Sequence, residues 1–250
     1  PWATFRKTKS AVKLHTMIDL KGSIPVFISI TEGKVHDVNA LDELVVEPGS
    51  IYALDRGYVD FRRLYRLHKD GGFYVTRAKK NMVFTVKESH PVDKTTGLRC
   101  DQTIRLKTTK AKKDYPEILR RVSYIDPSTE KRLVFLTNNF YLAAIKVAEV
   151  YKGRWSIELF FKWIKQNLRI KTFFGNNENA VKTQIWIAVS MYLMVASLKK
   201  QLKLDMSMGK ILQILSVNPF QRITLDQLLT ESHDTNHEDV DHNQLLFNEF

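Results

Sequence analysis

The chain has 250 residues, 44% of them hydrophobic and 26% charged, and its formal net charge at pH 7 is +12. This composition is typical of a globular protein and excludes an intrinsically disordered chain. The single cysteine, Cys100, excludes a disulfide framework and a cysteine-rich zinc site within the chain.

The basic charge is concentrated in the first nine tenths of the chain. The last 25 residues hold seven acids and no Lys or Arg, so residues 1–225 carry 39 basic and 20 acidic side chains. Such an excess of positive charge favours nucleic acid as a partner. The longest apolar run, residues 185–198, is too short to span a bilayer comfortably, so we expect a buried helix there and no membrane partner.

The first 80 residues alternate between strand and helix patterns. Two β-branched runs at 11–20 and 23–31 flank Lys21-Gly22 and predict a hairpin. A helix at 36–45 with Asp37 as its N-cap, a short buried strand at 50–55, a helix at 59–72 and a strand at 73–78 follow. This order predicts an α/β fold in which helices flank a mixed sheet.

The pattern changes after residue 80. Four strand-like runs, "MVFTVKE", "QTIRLKT", "RRVSYI" and "KRLVFLT", occupy 81–137 with no helix pattern between them, and we interpret this segment as a β-rich insertion. Helices are predicted from about 138 toward 170, over 180–202 and near 207–216. We therefore expect a core at 1–80, the insertion at 81–137, a helical completion of the core at 138–225 and a mobile acidic tail at 226–250.

One predicted helix carries a single acid in a basic stripe, "YKGRWSIELFFKWIK" at 151–165. At 100° per residue, the side chains of Arg154, Glu158, Lys162 and Lys165 all fall within about 60° of Tyr151. One interpretation is a solvated face with ion pairs between residues four apart. The other is a metal-binding carboxylate beside cations that hold phosphates, because divalent ions need oxygen ligands and DNA backbones need Arg and Lys.

Asp55 is the second candidate carboxylate, since it follows a predicted strand, and ligand sites in open α/β sheets lie at the carboxyl ends of strands. A strand-end Asp that only caps the next turn is the commoner case. Three cations that leave the next strand, Arg77, Lys79 and Lys80, are candidates for phosphate contacts or for a solvated turn. His15, on the first strand of the hairpin, faces either the site or the core.

The order of these motifs resembles a known family. "Y-x2-R-x3-E-x6-K" at Tyr151, Arg154, Glu158 and Lys165 is similar to the Y-R-E-K signature of bacterial insertion-sequence transposases of the DDE type. "ALDRGYVD" at 53–60 resembles the segment that carries the second catalytic Asp of that group, and residues 1–37 resemble the start of its catalytic domain. The resemblance implies a ribonuclease H-like fold with a β-rich insertion before the glutamate helix.

The resemblance also implies a reaction. Family members hold two Mg²⁺ or Mn²⁺ ions on three carboxylates, and Asp55 and Glu158 match the second Asp and the Glu. Tyr151, Arg154 and Lys165 match residues that position the backbone of double-stranded DNA at the transposon ends, and Lys162 lies in the same stripe. The implied activity is DNA cleavage and strand transfer by a homodimer in the bacterial cytoplasm, at the nucleoid when DNA is bound.

The first catalytic Asp of the family lies upstream of the segment that resembles residues 1–5. Neither Asp19, at a predicted strand end, nor Asp37, a predicted helix cap, matches its place. We therefore expect a catalytic-domain fragment with two of the three metal ligands, which binds DNA weakly and cleaves it poorly or not at all. The alternatives are a DNA-binding remnant without catalysis and a nuclease on the same fold that cuts without joining.

Overall fold

The computed structural model describes residues 4–6, 9–168, 173–175, 177–217, 224, 225 and 227–229, with side chains from residue 11 onward. Ten strands are present in this part of the chain. They are β1 (Thr4–Arg6), β2 (Lys9–Ser10), β3 (Val12–Asp19), β4 (Ile24–Glu32), β5 (Ile51–Leu54), β6 (Phe73–Arg77), β7 (Phe84–His90), β8 (Leu98–Leu106), β9 (Leu119–Ile125) and β10 (Arg132–Thr137).

Seven α-helices lie among the described residues. They are α1 (Ala40–Glu43), α2 (Phe61–Lys69), α3 (Thr109–Asp114), α4 (Ala144–Gly153), α5 (Trp155–Asn167), α6 (Glu178–Gln201) and α7 (Met208–Val217). Several begin at the side-chain caps that their sequences offer. Asp60 accepts from the backbone N–H of Arg63 at 3.0 Å at the start of α2, and Thr108 caps α3 in the same way.

Six strands form one mixed sheet in the order β5-β6-β10-β9-β8-β7. Strands β5 and β6 are parallel, with α2 as their connection, and the other four strands pair antiparallel. The predicted insertion therefore continues the sheet from β6. The hairpin is also as predicted: β3 and β4 pair antiparallel, as a separate two-stranded sheet.

Helices cover both faces of the six-stranded sheet. Successive side chains of a strand point to opposite faces, so Tyr74 and Leu136 lie in one hydrophobic core while Val75 and Phe135 lie in another. Helix α2 packs on the first core and α4 on the second. This mixed α/β architecture is consistent with the ribonuclease H-like fold that the sequence led us to expect.

A buried ion pair joins β8 and β9 inside this sheet. The Arg120 guanidinium donates to both carboxylate oxygens of Asp101, at 2.8 and 2.7 Å, and both side chains are only 8% exposed. A further nitrogen of Arg120 donates to the carbonyls of Asn139 and Leu142. The pair is therefore held on both sides by partners that satisfy its charge and its donors.

Three helix predictions need correction. Helix α3 lies inside the insertion, where we expected strands only, since its six residues are too few for a clear periodicity. Helix α4 begins at Ala144 instead of 138, because Asn138 is buried and its side chain bonds to Tyr74 N–H and the Gly72 carbonyl, both at 2.9 Å. The helix at 36–45 is a 3-10 turn followed by α1, and His36 instead of Asp37 is the N-cap.

Contacts divide the chain into two compact units, residues 1–162 with 174–182 and residues 163–173 with 183–250. The domain boundaries predicted from sequence remain a prediction. In the second unit, α6 and α7 follow the predicted helices closely, and Val195, Met206, Ile211 and Leu229 form its core. Helix α6 is the one described helix long and apolar enough to cross a membrane by length and composition, and a third of its apolar window is buried.

Most of the tail at 226–250 lies outside the described residues. Residues 227–229 are helical, and Leu229 is fully buried in the core of the second unit. Burial therefore extends into the segment that we expected to be a mobile tail.

Candidate active site

Asp55 stands at the carboxyl end of β5, where β5 runs parallel to β6. Its carboxylate accepts from the backbone N–H of Arg56 at 2.6 Å and caps the 3-10 turn Arg56–Tyr58. The interpretation of Asp55 as the cap of the next turn is thus correct. The residue is also exposed, so its carboxylate can take a further ligand from solvent.

The turn after Asp55 is held by the hairpin. His15 of β3 is buried, with its ring Nδ1 3.3 Å from the Tyr58 hydroxyl and its Nε2 3.0 Å from the Thr31 hydroxyl. Burial raises the pKa of Tyr58 to about 12, with further contributions from Asp37 and Asp55. His15 is therefore a buried histidine, and its ring contacts Tyr58, three residues after the candidate carboxylate.

The basic stripe lies on two helices instead of one. Helix α4 ends at Gly153 and α5 begins at Trp155, so Tyr151 and Glu158 lie on either side of a break at Arg154. A Cβ on Gly153 would come within 2.9 Å of the Leu20 side chain, next to the hairpin turn. A glycine at this position therefore permits the close approach of the hairpin to the end of α4.

Arg154 and Glu158 form an ion pair at this break. The guanidinium donates to Glu158 Oε1 at 2.7 Å, and the exposed side-chain fractions are 21% for Arg154 and 41% for Glu158. The guanidinium carbon is 5.7 Å from the centre of the Tyr151 ring, which packs on Phe135 at 5.0 Å. The pair predicted by the solvated-face interpretation is present, but its arginine is mostly buried.

The charge of Asp55 also affects the pKa values of Arg154 and Tyr151. Burial opposes the charge of Arg154, but the hydrogen bond to Glu158 and the charges of Tyr151, Asp55 and Glu158 together raise the pKa of Arg154. Burial is also the main cause that raises the pKa of Tyr151; Asp55 adds to this rise, while Arg154 and Arg77 oppose it. Both candidate carboxylates therefore act on one guanidinium, although β5 and α5 are far apart in sequence.

The other predicted phosphate contacts differ in their surroundings. Arg77 ends β6 and interacts with Tyr151, whereas Lys79 donates to the Val59 carbonyl at 2.8 Å and Lys80 is exposed. Lys162 is half-buried on α5. Lys165 is exposed near the end of α5, in the part of that helix that belongs to the second unit.

The chemistry of this cluster fits a divalent cation in part. Asp55 and Glu158 supply carboxylate oxygens, the ligands that Mg²⁺ and Mn²⁺ prefer. Among the described residues, no three His, Cys, Asp or Glu side chains group closely enough to hold a metal ion. The two alternative acids have other partners: Asp37 pairs with Lys13 at 3.0 Å, and Asp19 accepts from the backbone N–H of Lys21.

Two aromatic residues near the site were not singled out as site residues from the sequence. Tyr58 follows the candidate carboxylate within the same turn and contacts His15. Trp155 is 55% exposed at the start of α5. Counted from Tyr151 at 100° per residue, Trp155 falls about 40° away, on the side of the basic stripe, so its exposure agrees with the helical pattern.

Comparisons with known proteins identify the family to which the chain belongs. Residues 3–194 match the family described as Transposase DDE domain. A Sinorhizobium fredii protein named as transposase y4zB is 32% identical over 198 residues, covering 78% of this chain and 55% of that protein. A Geobacillus stearothermophilus protein named as a transposase for the insertion sequence element IS5377 is 29% identical over 205 residues, covering 81% of this chain and 53% of that protein.

A Synechocystis protein named as a transposase for the element IS4SA is 30% identical over 187 residues, covering 74% of this chain and 52% of that protein. The chain thus spans about half the length of the curated relatives that it matches. The match to the family covers more than half of the chain and includes both candidate carboxylates. The chain therefore belongs to the DDE transposase family of insertion-sequence elements, whose members act on DNA and generally use divalent metal ions.

Proposed function

We propose that this chain supplies two of the metal-binding carboxylates, Asp55 and Glu158, for DNA strand cleavage and strand transfer at the ends of an insertion sequence. The observation that supports the proposal most directly is the position of Arg154. It donates to Glu158 at 2.7 Å, and the charge of Asp55, which follows β5, contributes to the raised pKa of Arg154.

The residues around the carboxylates have the chemistry to hold a DNA backbone. The guanidinium of Arg154 presents a planar set of donors that suits a phosphate group, and it lies over the ring of Tyr151. Arg77 is close enough to affect the pKa of Tyr151. Lys162 on α5, with Lys79 and Lys80 after β6, adds positive charge for phosphates farther along the duplex. Lys165, in the second unit, is a further candidate for a phosphate contact.

Two Mg²⁺ or Mn²⁺ ions, when bound, would activate a water or a DNA 3′-hydroxyl and stabilise the leaving oxygen. The contribution of this chain is to place Asp55 and Glu158 as oxygen ligands beside a phosphate that Arg154 holds in position. The DNA partner in this proposal is the double-stranded transposon end and its target. The reaction takes place in a homodimer in the bacterial cytoplasm.

A nicking and joining assay on supercoiled DNA tests this proposal. The chain is assayed alone and together with an upstream segment that carries an aspartate, each in Mg²⁺, in Mn²⁺ and in EDTA. We expect metal-dependent nicking and joining with the upstream segment, and a fall of at least about a hundredfold in D55N and in E158Q.

The matched control is E149Q. Glu149 pairs with Lys146 at 2.7 Å on the exposed side of α4, so E149Q also removes one acid from an ion pair. We expect E149Q to keep full activity. Full activity in D55N and E158Q would contradict the proposal, cleavage without joining would indicate a nuclease, and DNA binding without either would indicate a remnant.

A further inference from the structure

Within the described part of the chain, the Arg154 side chain has two hydrogen-bonding neighbours, Glu158 and Tyr151, and one donor without a partner. One terminal nitrogen donates to Glu158 at 2.7 Å. The Nε atom is buried and has no hydrogen-bond partner among the described residues. A guanidinium has five N–H donors, and a buried donor without a partner is unfavourable. The buried Nε–H is therefore left unsatisfied by the described residues in this arrangement, and a shift of the side chain toward an anion would give this donor a partner.

The same guanidinium neutralises the carboxylate that we propose as a metal ligand. The guanidinium occupies Oε1 of Glu158, so a divalent cation on the same carboxylate would lie close to Arg154, and the two positive charges would repel each other at short range. Because Arg154 is already partly desolvated and lies over the Tyr151 ring, its charge needs a new anion when it leaves Glu158. A phosphate group of bound DNA is an anion with matching geometry.

We propose that Arg154 exchanges partners, from Glu158 in the free protein to a DNA phosphate when Glu158 binds metal. The inference rests on the proposed function and adds a regulatory step to the same site. Metal binding at Glu158 releases Arg154 for DNA, and DNA binding to Arg154 frees Glu158 for metal. By thermodynamic linkage, each ligand then strengthens the binding of the other by the same factor.

The first test needs no metal and no catalysis. Binding of a fluorescently labelled DNA duplex of arbitrary sequence is measured by anisotropy in EDTA over a range of salt concentrations. E158Q removes the competitor for Arg154, so we expect it to bind DNA about three- to tenfold more tightly than the wild type, with a salt dependence steeper by about one phosphate contact.

A double-mutant cycle separates this exchange from simple loss of a negative charge. We expect the gain from E158Q to disappear in the R154Q background, because no arginine remains to be released. If E158Q acted only by removing the repulsion between Glu158 and DNA phosphates, the gain in affinity would persist in the R154Q background. The variant R154K keeps the charge but loses the planar donor set, so the gain should be partial, and E149Q should show no gain.

The second test repeats the anisotropy measurement with Ca²⁺ in place of EDTA. We expect Ca²⁺ to tighten DNA binding by the wild type, to do so less in R154Q and not to do so in E158Q. An equal gain from E158Q in both arginine backgrounds would overturn the exchange. If the cycle in EDTA behaves as expected but Ca²⁺ changes nothing, the metal-ligand role of Glu158 and the linkage both fail, while Arg154 remains a phosphate contact.

Discussion

Two arginine–carboxylate pairs in the first unit have similar contact distances and different surroundings. Arg120 and Asp101 lie within the sheet between β8 and β9, with two direct bonds and 8% exposure on both sides. Arg154 and Glu158 lie at the break between α4 and α5, with one direct bond and a carboxylate that is 41% exposed.

The difference lies in the donors that remain. Arg120 gives its other terminal nitrogen to two backbone carbonyls, so the pair is complete as it stands. Arg154 has a buried Nε without a partner among the described residues, and the charge of Asp55 acts on it as well. A complete buried pair serves the fold, whereas an incomplete pair beside a second carboxylate is suited to ligands.

The largest expected effect is on stability, at the complete pair. The variant D101A leaves the guanidinium of Arg120 buried without its counter-charge, so we expect a loss of about 3–5 kcal/mol in the free energy of unfolding. Urea unfolding followed by tryptophan fluorescence measures this loss. A cost below about 1 kcal/mol would show that the β8–β9 pair is not the structural element that its burial indicates.

The Arg154–Glu158 pair, in contrast, should contribute little to stability. E158Q removes a half-exposed partner four residues from Arg154, so we expect a change in unfolding free energy below about 1 kcal/mol. The same urea experiment measures it, with E149Q as the matched surface pair. Destabilisation as large as that of D101A would mean that Glu158 serves mainly the fold, and the comparison between the two pairs would no longer hold.

The smallest expected effect concerns His15, which joins the hairpin to the turn after Asp55. Burial is the main cause that lowers the pKa of His15 from its ordinary value of 6.5; Lys13 adds to the lowering, and Asp37 and Glu43 oppose it. Unfolded His15 therefore binds protons more readily than the folded form. Its contribution to stability is present above about pH 6.5 and is lost as the pH falls below that value.

Thermal unfolding between about pH 7.5 and about pH 5 checks this sign. Carboxylates also titrate in part of this range, so the informative quantity is the difference between the wild type and H15Q. We expect the melting temperature of H15Q to fall less steeply than that of the wild type as the medium is acidified. A parallel fall in both proteins would mean that the buried imidazole does not contribute to the pH dependence.

Local patterns predicted much of the fold. The hairpin, the strand before Asp55 and helix α2 with its Asp60 cap are all present, because each has a period or a cap within its own few residues. Two features did not follow from such patterns. Helix α3 is too short to show a period, and α4 starts late because distant backbone groups bind the side chain of Asn138.

For the site, the sequence supplied the candidate residues but not their partners. Order and spacing singled out Asp55, Tyr151, Arg154 and Glu158. In the structure Arg154 contacts Tyr151 and Glu158, and the charge of Asp55 contributes to its raised pKa. The break at Arg154 and the support of Tyr58 by His15 were not predicted. Each depends on a contact or a backbone turn that a helical wheel cannot represent.

By itself, therefore, the sequence determined the α/β class, the basic charge, the family resemblance and the candidate carboxylates, because these depend on residue types and short-range order. Only the tertiary structure decided which arginine completes a buried pair and which keeps a buried donor, next to Glu158, without a partner among the described residues. The reason is that hydrogen-bond satisfaction and desolvation depend on every group that surrounds a side chain, and most of those groups come from elsewhere in the chain.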